Sequence, residues 1–147
     1  TTAIIKETLR GVPPFPNLMQ REVTADHYIG DFFVPKGSIM YIDILALNYH
    51  PRRFENPEKF NPYRWMKGHP DFNEEVSKDP FVYLPFSGGP RNCIGQPLAM
   101  LEIKIILAMF VSQFDWKVRE GYKLKLEMKS AYGPTENVPI ILTPLEK

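Results

Sequence analysis

Fifteen prolines are spread along the 147 residues, and they limit how much regular structure the chain can form. Each fixes its own φ and removes a backbone donor, which excludes helix interiors and central strands wherever one falls. Loops and short strands are therefore expected over most of the chain. Two proline-free segments read as helices. Residues 1–10 favour a helix, with Ile5 and Leu9 on one face and Glu7 and Arg10 spaced as surface neighbours. Gly11, Pro13, Pro14 and Pro16 end it. From Leu98 to Phe114 runs a second helix that is apolar on nearly every side, a pattern expected of a helix buried on most faces.

Between these helices the signals are short. Asp31-Phe32-Phe33-Val34 and Ser38-Ile39-Met40-Tyr41-Ile42 flank Pro35-Lys36-Gly37, which reads as a turn between two strands. Ala46 and Leu47 lead toward a short helix. From Tyr49 to Asp79 the chain is loop-like, full of Pro, Asn and charge, and such a stretch is functional or wraps over something. Beyond the second helix Tyr122, Leu124, Leu126 and Met128 alternate with Lys123, Lys125, Glu127 and Lys129, the period of a half-exposed strand. Val138 to Leu142 is its expected partner, reached through the loop around Gly133 and Pro134. The expected architecture is α+β: two clear helices, a small antiparallel sheet and a long meander.

A hydrophobic fraction of 44% and a charged fraction of 24% exclude wholesale disorder. Eighteen basic against 17 acidic residues give a net charge of +1, with no footprint for nucleic acid or a polybasic membrane contact. No run approaches a membrane span, since Leu98 to Val111 is interrupted by Glu102 and Lys104. Cys93 is the sole cysteine, which excludes an internal disulfide and any multi-thiolate zinc site. His27, His50 and His69 lack metal-ligand spacing.

The richest segment is Phe86-Ser87-Gly88-Gly89-Pro90-Arg91-Asn92-Cys93-Ile94-Gly95. A lone cysteine is more often an inert buried thiol. Here small residues on both sides let the backbone approach something bulky and leave amide N–H groups to point at the sulfur. Gln96-Pro97-Leu98 opens the apolar helix, with Pro97 suited to its first turn. The positive end of that helix favours a thiolate just before it. Arg91 adds a fixed cation suited to a carboxylate. The segment is built for a thiolate ligand beside an anionic group.

Phe86, Gly89, Arg91, Cys93 and Gly95 fill a pattern, Phe-x-x-Gly-x-Arg-x-Cys-x-Gly, that resembles the haem-binding loop of the cytochrome P-450 family. Five specified residues in ten positions arise by chance on the order of once in ten million starts. Leu98-Ala99 and Glu102 continue the match. Glu7-Thr8-Leu9-Arg10 resembles the family's Glu-x-x-Arg helix, and Phe60-Asn61-Pro62-Tyr63-Arg64-Trp65 its Phe-x-Pro-x-Arg segment. Tyr63 stands where Glu is frequent, Trp65 where Phe is usual, and Pro97 where a basic residue is common.

The resemblance implies roles. Cys93 would be the axial thiolate on haem iron, Phe86 would pack beside the sulfur, and the loop amides would donate to it. Arg91 would pair with a haem propionate and Arg21 with the second. Glu7, Arg10 and Arg64 would form the family's buried triad, a structural device. Residues 1–147 are expected to be the C-terminal part of a single cytochrome P-450 domain, whose full fold is mainly α, because the chain begins six residues before Glu7 and lacks the oxygen-activating helix. The complete enzyme would insert one oxygen atom from O2 into an apolar organic substrate, with electrons from an NAD(P)H-dependent reductase. Alternatives are a non-catalytic haem-binding or vestigial module, and a haem-thiolate isomerase or dehydratase that uses no O2. A eukaryotic parent would sit on the endoplasmic reticulum. Substrate-facing segments are Val12 to Gln20 and the turn from Tyr132 to Thr135.

Overall fold

A computed structural model describes residues 1–146. Helix α1 spans Thr2–Gly11 and stops where Gly11 meets the proline run. Short strands β1 (Arg21–Glu22), β2 (His27–Ile29), β3 (Phe32–Val34) and β4 (Ile39–Met40) follow, then helix α2 (Ile44–Asn48). The meander contains a 3-10 turn at Pro62–Trp65 and helix α3 (Glu74–Lys78). A second 3-10 turn, Gly89–Arg91, leads into the 18-residue helix α4 (Gln96–Gln113). Strands β5 (Phe114–Val118), β6 (Leu126–Met128), β7 (Tyr132–Pro134) and β8 (Ile140–Pro144) close the chain. The mixed α+β architecture is as expected, while the strand pairing differs.

The strands form four antiparallel two-stranded ladders, β1–β4, β2–β3, β5–β8 and β6–β7, rather than one small sheet. The turn at Pro35-Lys36-Gly37 exists, with Gly37 at φ 84°. It does not fold its flanking strands onto each other. β3 pairs back with β2, Tyr28 opposite Phe33, and β4 pairs with β1, Arg21 opposite Met40. Val23 explains this by a local exchange: its N–H donates to Ser38 C=O at 2.9 Å and its C=O accepts from Gly37 N–H at 2.8 Å. One hairpin is thus nested inside another.

The same nesting recurs at the end of the chain. The expected partnership of residues 122–128 with Val138–Leu142 is replaced by β6–β7 and β5–β8. A tight reversal, Lys129 N–H to Ala131 C=O at 3.2 Å, turns the chain back before β6 can reach further. β8 instead takes β5, Trp116 opposite Leu142. Phe114 is already extended, at φ −132° and ψ 137°, so the helix ends at Gln113 and Phe114-Asp115-Trp116-Lys117-Val118 alternates as a strand. α3 lies in a region expected to be loop; the Asn73 side chain caps it by accepting from Val76 N–H at 3.3 Å.

α4 departs from two expectations. Eighteen residues at mean hydropathy 1.2 are long and apolar enough to cross a membrane, by length and composition, even with Glu102 and Lys104. At 1.5 Å per residue the helix is about 27 Å long. None of its described residues is buried, although a helix apolar on all sides is ordinarily a core element. Among the described residues it packs chiefly on α1 and β5, and Leu98, Leu101, Ile105 and Ile106 stand in the open. The core lies elsewhere, around Ile5, Val23, Ile44, Phe54, Val82 and Leu84, where α1, α2, the meander and the run into the cysteine loop meet.

Candidate functional site

α1 buries charge as well as hydrocarbon. Glu7 and Arg10 are fully buried and Ile5 is buried on another face of the helix, while Ile4 is exposed. Arg10 grips the carboxylate with two bonds, Nη2 to Oε1 at 2.9 Å and Nε to Oε2 at 3.1 Å. Bidentate guanidinium–carboxylate bonding is short and strong because both groups are charged. Asn61 N–H donates to Oε1 at 2.9 Å and the Trp65 indole Nε1 to Oε2 at 2.9 Å. Arg64 Nε stands 3.5 Å from Oε1, close enough for charge attraction but outside hydrogen-bond geometry. Its Nη2 donates to Asn56 C=O at 2.8 Å, so Arg64 spans the meander rather than simply closing on Glu7. Burial pushes the Glu7 carboxyl up, yet the bonds from Arg10, Asn61 and Trp65 and the Arg10 charge hold it below the usual carboxylate range.

Arg10 reaches a second element. Its Nη1 donates to Asn48 C=O at 3.0 Å, and Asn48 Nδ2 returns a bond to Arg10 C=O at 3.0 Å. This reciprocal clamp holds α2 against α1. The guanidinium also lies 5.4 Å from the rings of Tyr49 and Phe54. Trp65 packs on Tyr83 at 4.5 Å between ring centroids, and the Tyr83 hydroxyl donates to Lys6 C=O at 2.9 Å. Burial above all, and then the Glu7 charge, push the Tyr83 phenol well above its ordinary range. Asn48, Asn61 and Tyr83 give no sequence signal, because each meets α1 from far along the chain.

The cysteine loop is held by its own backbone. Cys93 N–H donates to Phe86 C=O at 2.9 Å, Asn92 N–H to Gly89 C=O at 3.1 Å, and Gln96 N–H to Cys93 C=O at 3.3 Å. Ser87 at φ 66° and Gly89 at φ 73° make the reversal between Phe86 and Cys93. A Cβ at Gly95 would lie 3.8 Å from the Cys93 sulfur, and Gly95 is the N-cap of α4. Cys93 is exposed and Phe86 half-buried.

Arg91 is exposed and makes no ion pair among the described residues. Arg21 bonds Gln20 C=O at 3.1 Å and likewise pairs with no carboxylate there. An open, mainly apolar cavity of about 340 Å³ runs from Leu18, Arg21 and Tyr41 to Ser87 and Gly88 of the cysteine loop. It brings Arg21 to the edge of that loop. The loop after α1 and the β7 strand are joined as well, Tyr132 N–H donating to Pro14 C=O at 2.7 Å.

A family model for cytochrome P-450 matches residues 1–142. The chain belongs to the cytochrome P-450 family. Among curated relatives, the cytokinin hydroxylase of Arabidopsis thaliana is 37% identical over 148 residues, covering 97% of this chain and 27% of the relative. Cytochrome P-450 3A2 of Rattus norvegicus is 33% identical over 144 residues, covering 98% of this chain and again 27% of the relative. The retinoic acid bound cyanobacterial CYP120A1 superposes with a TM-score of 0.87 at 30% identity, over 98% of this chain and 32% of that structure. The chain thus spans about a quarter to a third of the cytochrome P-450 proteins it matches.

Proposed function

We propose that this chain forms the thiolate-bearing side of a haem site in an oxygen-inserting enzyme. The observation that carries the reading is the exposed thiol of Cys93, two residues before the N-cap of α4 in a loop folded by Ser87 and Gly89. The donor set supports haem over a free ion. Among the described residues no three His, Cys, Asp or Glu side chains come together to hold a metal. A single soft sulfur suits an iron whose other ligands come from a porphyrin. Arg91, within the cysteine loop, and Arg21, at the cavity that reaches it, pair with no carboxylate among the described residues and suit its two propionates.

Haem held by the Cys93 thiolate would supply oxygen activation, which electron donation from a sulfur ligand favours. The chain's own residues do the rest. Cys93 would hold the group from a position two residues before the N-cap of α4. Arg91 and Arg21 orient it through charge-assisted bonds to carboxylates. Phe86 shields the sulfur side from water, and Gly89 and Gly95 keep the approach open. Leu18 and Met19, with the joined loops at Pro14 and Tyr132, offer an apolar wall for an organic substrate. Glu7, Arg10 and Arg64 hold the meander beneath the loop. Electrons reach the site from an NAD(P)H-dependent reductase, and the complete enzyme supplies the remaining haem cover, including the surface that packs on α4.

Replacing Cys93 by Ser in the full protein tests this. The ferrous–CO absorption band characteristic of thiolate ligation should be lost. A variant that keeps the parent's band overturns the assignment.

A further inference from the structure

Trp65 ends the 3-10 turn Pro62–Trp65 and faces the Glu7 ion pair. Its indole Nε1 donates to Glu7 Oε2 at 2.9 Å, a bond no phenyl ring can make. The same indole lies 4.5 Å from the Tyr83 ring, tilted by 49°, and 6.2 Å from the Phe54 ring. Lys6 Nζ stands 5.4 Å over it. Tyr83 is anchored in turn, its hydroxyl donating to Lys6 C=O and its neighbours Val82 and Leu84 buried on either side. Three residues further on, Phe86 C=O accepts the Cys93 N–H at 2.9 Å. An unbroken line of contacts therefore runs from a buried carboxylate, through one indole, to the backbone bond that seats the cysteine.

We infer that Trp65 is a positioning residue for the cysteine loop: its indole N–H ties residues 82–86 to the Glu7 ion pair and so fixes the Phe86–Cys93 bond. The inference rests on the haem-thiolate reading for its consequence at iron, though not for its geometry. Trp65→Phe keeps an aromatic ring against Tyr83 and deletes the donor together with part of the indole's bulk. Tyr83→Phe keeps the ring contact and releases the tie to Lys6.

Amide hydrogen exchange in the complete protein reads the effect without haem. Trp65→Phe should speed exchange of the Cys93 amide about tenfold or more, the equivalent of one lost bond to a buried charge. The Ile105 amide in mid α4 should exchange as before. Tyr83→Phe should act in the same direction at Cys93. In the haem-loaded protein the iron–sulfur stretching band should shift or broaden in Trp65→Phe. Unchanged exchange at Cys93 overturns the inference, as does an equal acceleration at Cys93 and Ile105, which marks a purely structural loss. A parent protein without any iron–sulfur band sinks the haem reading instead, and the exchange comparison still decides the role of Trp65.

Discussion

Four N–H groups donate to the Glu7 carboxylate, two from Arg10, one from the Asn61 backbone and one from the Trp65 indole. Arg64 stands beside them, and the group is cut off from water. Glu7→Gln leaves two buried guanidinium groups without an anion, and should cost about 3–5 kcal/mol in urea unfolding. The pH dependence has a definite sign. A carboxyl held below the ordinary 4.5 in the folded state adds stability that is fully present above that pH. It is lost as pH falls through the lowered folded value, and Glu7→Gln should remove that acid-side component from the stability profile. Spacing alone could not distinguish this cluster from an exposed i,i+3 pair, worth a few tenths of a kcal/mol. The motif singled out Glu7, Arg10 and Arg64. Asn48 and Tyr83 escaped because they meet α1 across 38 and 77 residues of sequence.

At the level of elements, α2 is a single turn of five residues that could not stand alone. Asp43 starts it by accepting from Ala46 N–H at 2.8 Å, and the Asn48–Arg10 clamp docks its end. Asp43→Ala should lower stability by about 1 kcal/mol, visible as a shifted denaturant midpoint with an unchanged slope. Asn48→Ala should cost about 1–3 kcal/mol, since it strips a buried carbonyl of its donor. Helix positions and the turn at Pro35-Lys36-Gly37 were legible, because proline punctuation and turn chemistry are local. Strand partners were not. A turn shows where the chain bends, whereas pairing depends on which edges remain free, and here Val23 and Ala131 decided it. The strand at Phe114–Val118 carried a visible period of two, masked by the apolar helix running into it.

For the whole molecule, area is the governing quantity. A compact monomer of 17.1 kDa exposes about 7800 Å², whereas this chain exposes 11270 Å². Much of the excess is apolar, on α4 and on β8, where Ile140, Ile141 and Leu142 are all exposed. Purified alone, the 147 residues should bind a hydrophobic dye strongly and self-associate with rising concentration, both measurable by fluorescence and light scattering. Ile106→Ser, at a position 66% exposed, should shift the stability of the isolated chain by no more than about 0.5 kcal/mol. Phe54→Ala, in the core, should cost about 3–5 kcal/mol. The amphipathic rule misjudged α4 for one reason: composition reports the environment a helix is made for, and among the described residues α1 and β5 cover only part of it.

The bond from Tyr132 N–H to Pro14 C=O makes one rim of two segments more than a hundred positions apart in sequence. Segments so far apart are easily treated as independent modules when a loop is exchanged between relatives. Because the seam joins main-chain atoms, a change of side chain on either lip leaves it in place, whereas a graft that alters the length or path of one lip alone would break it and let both splay.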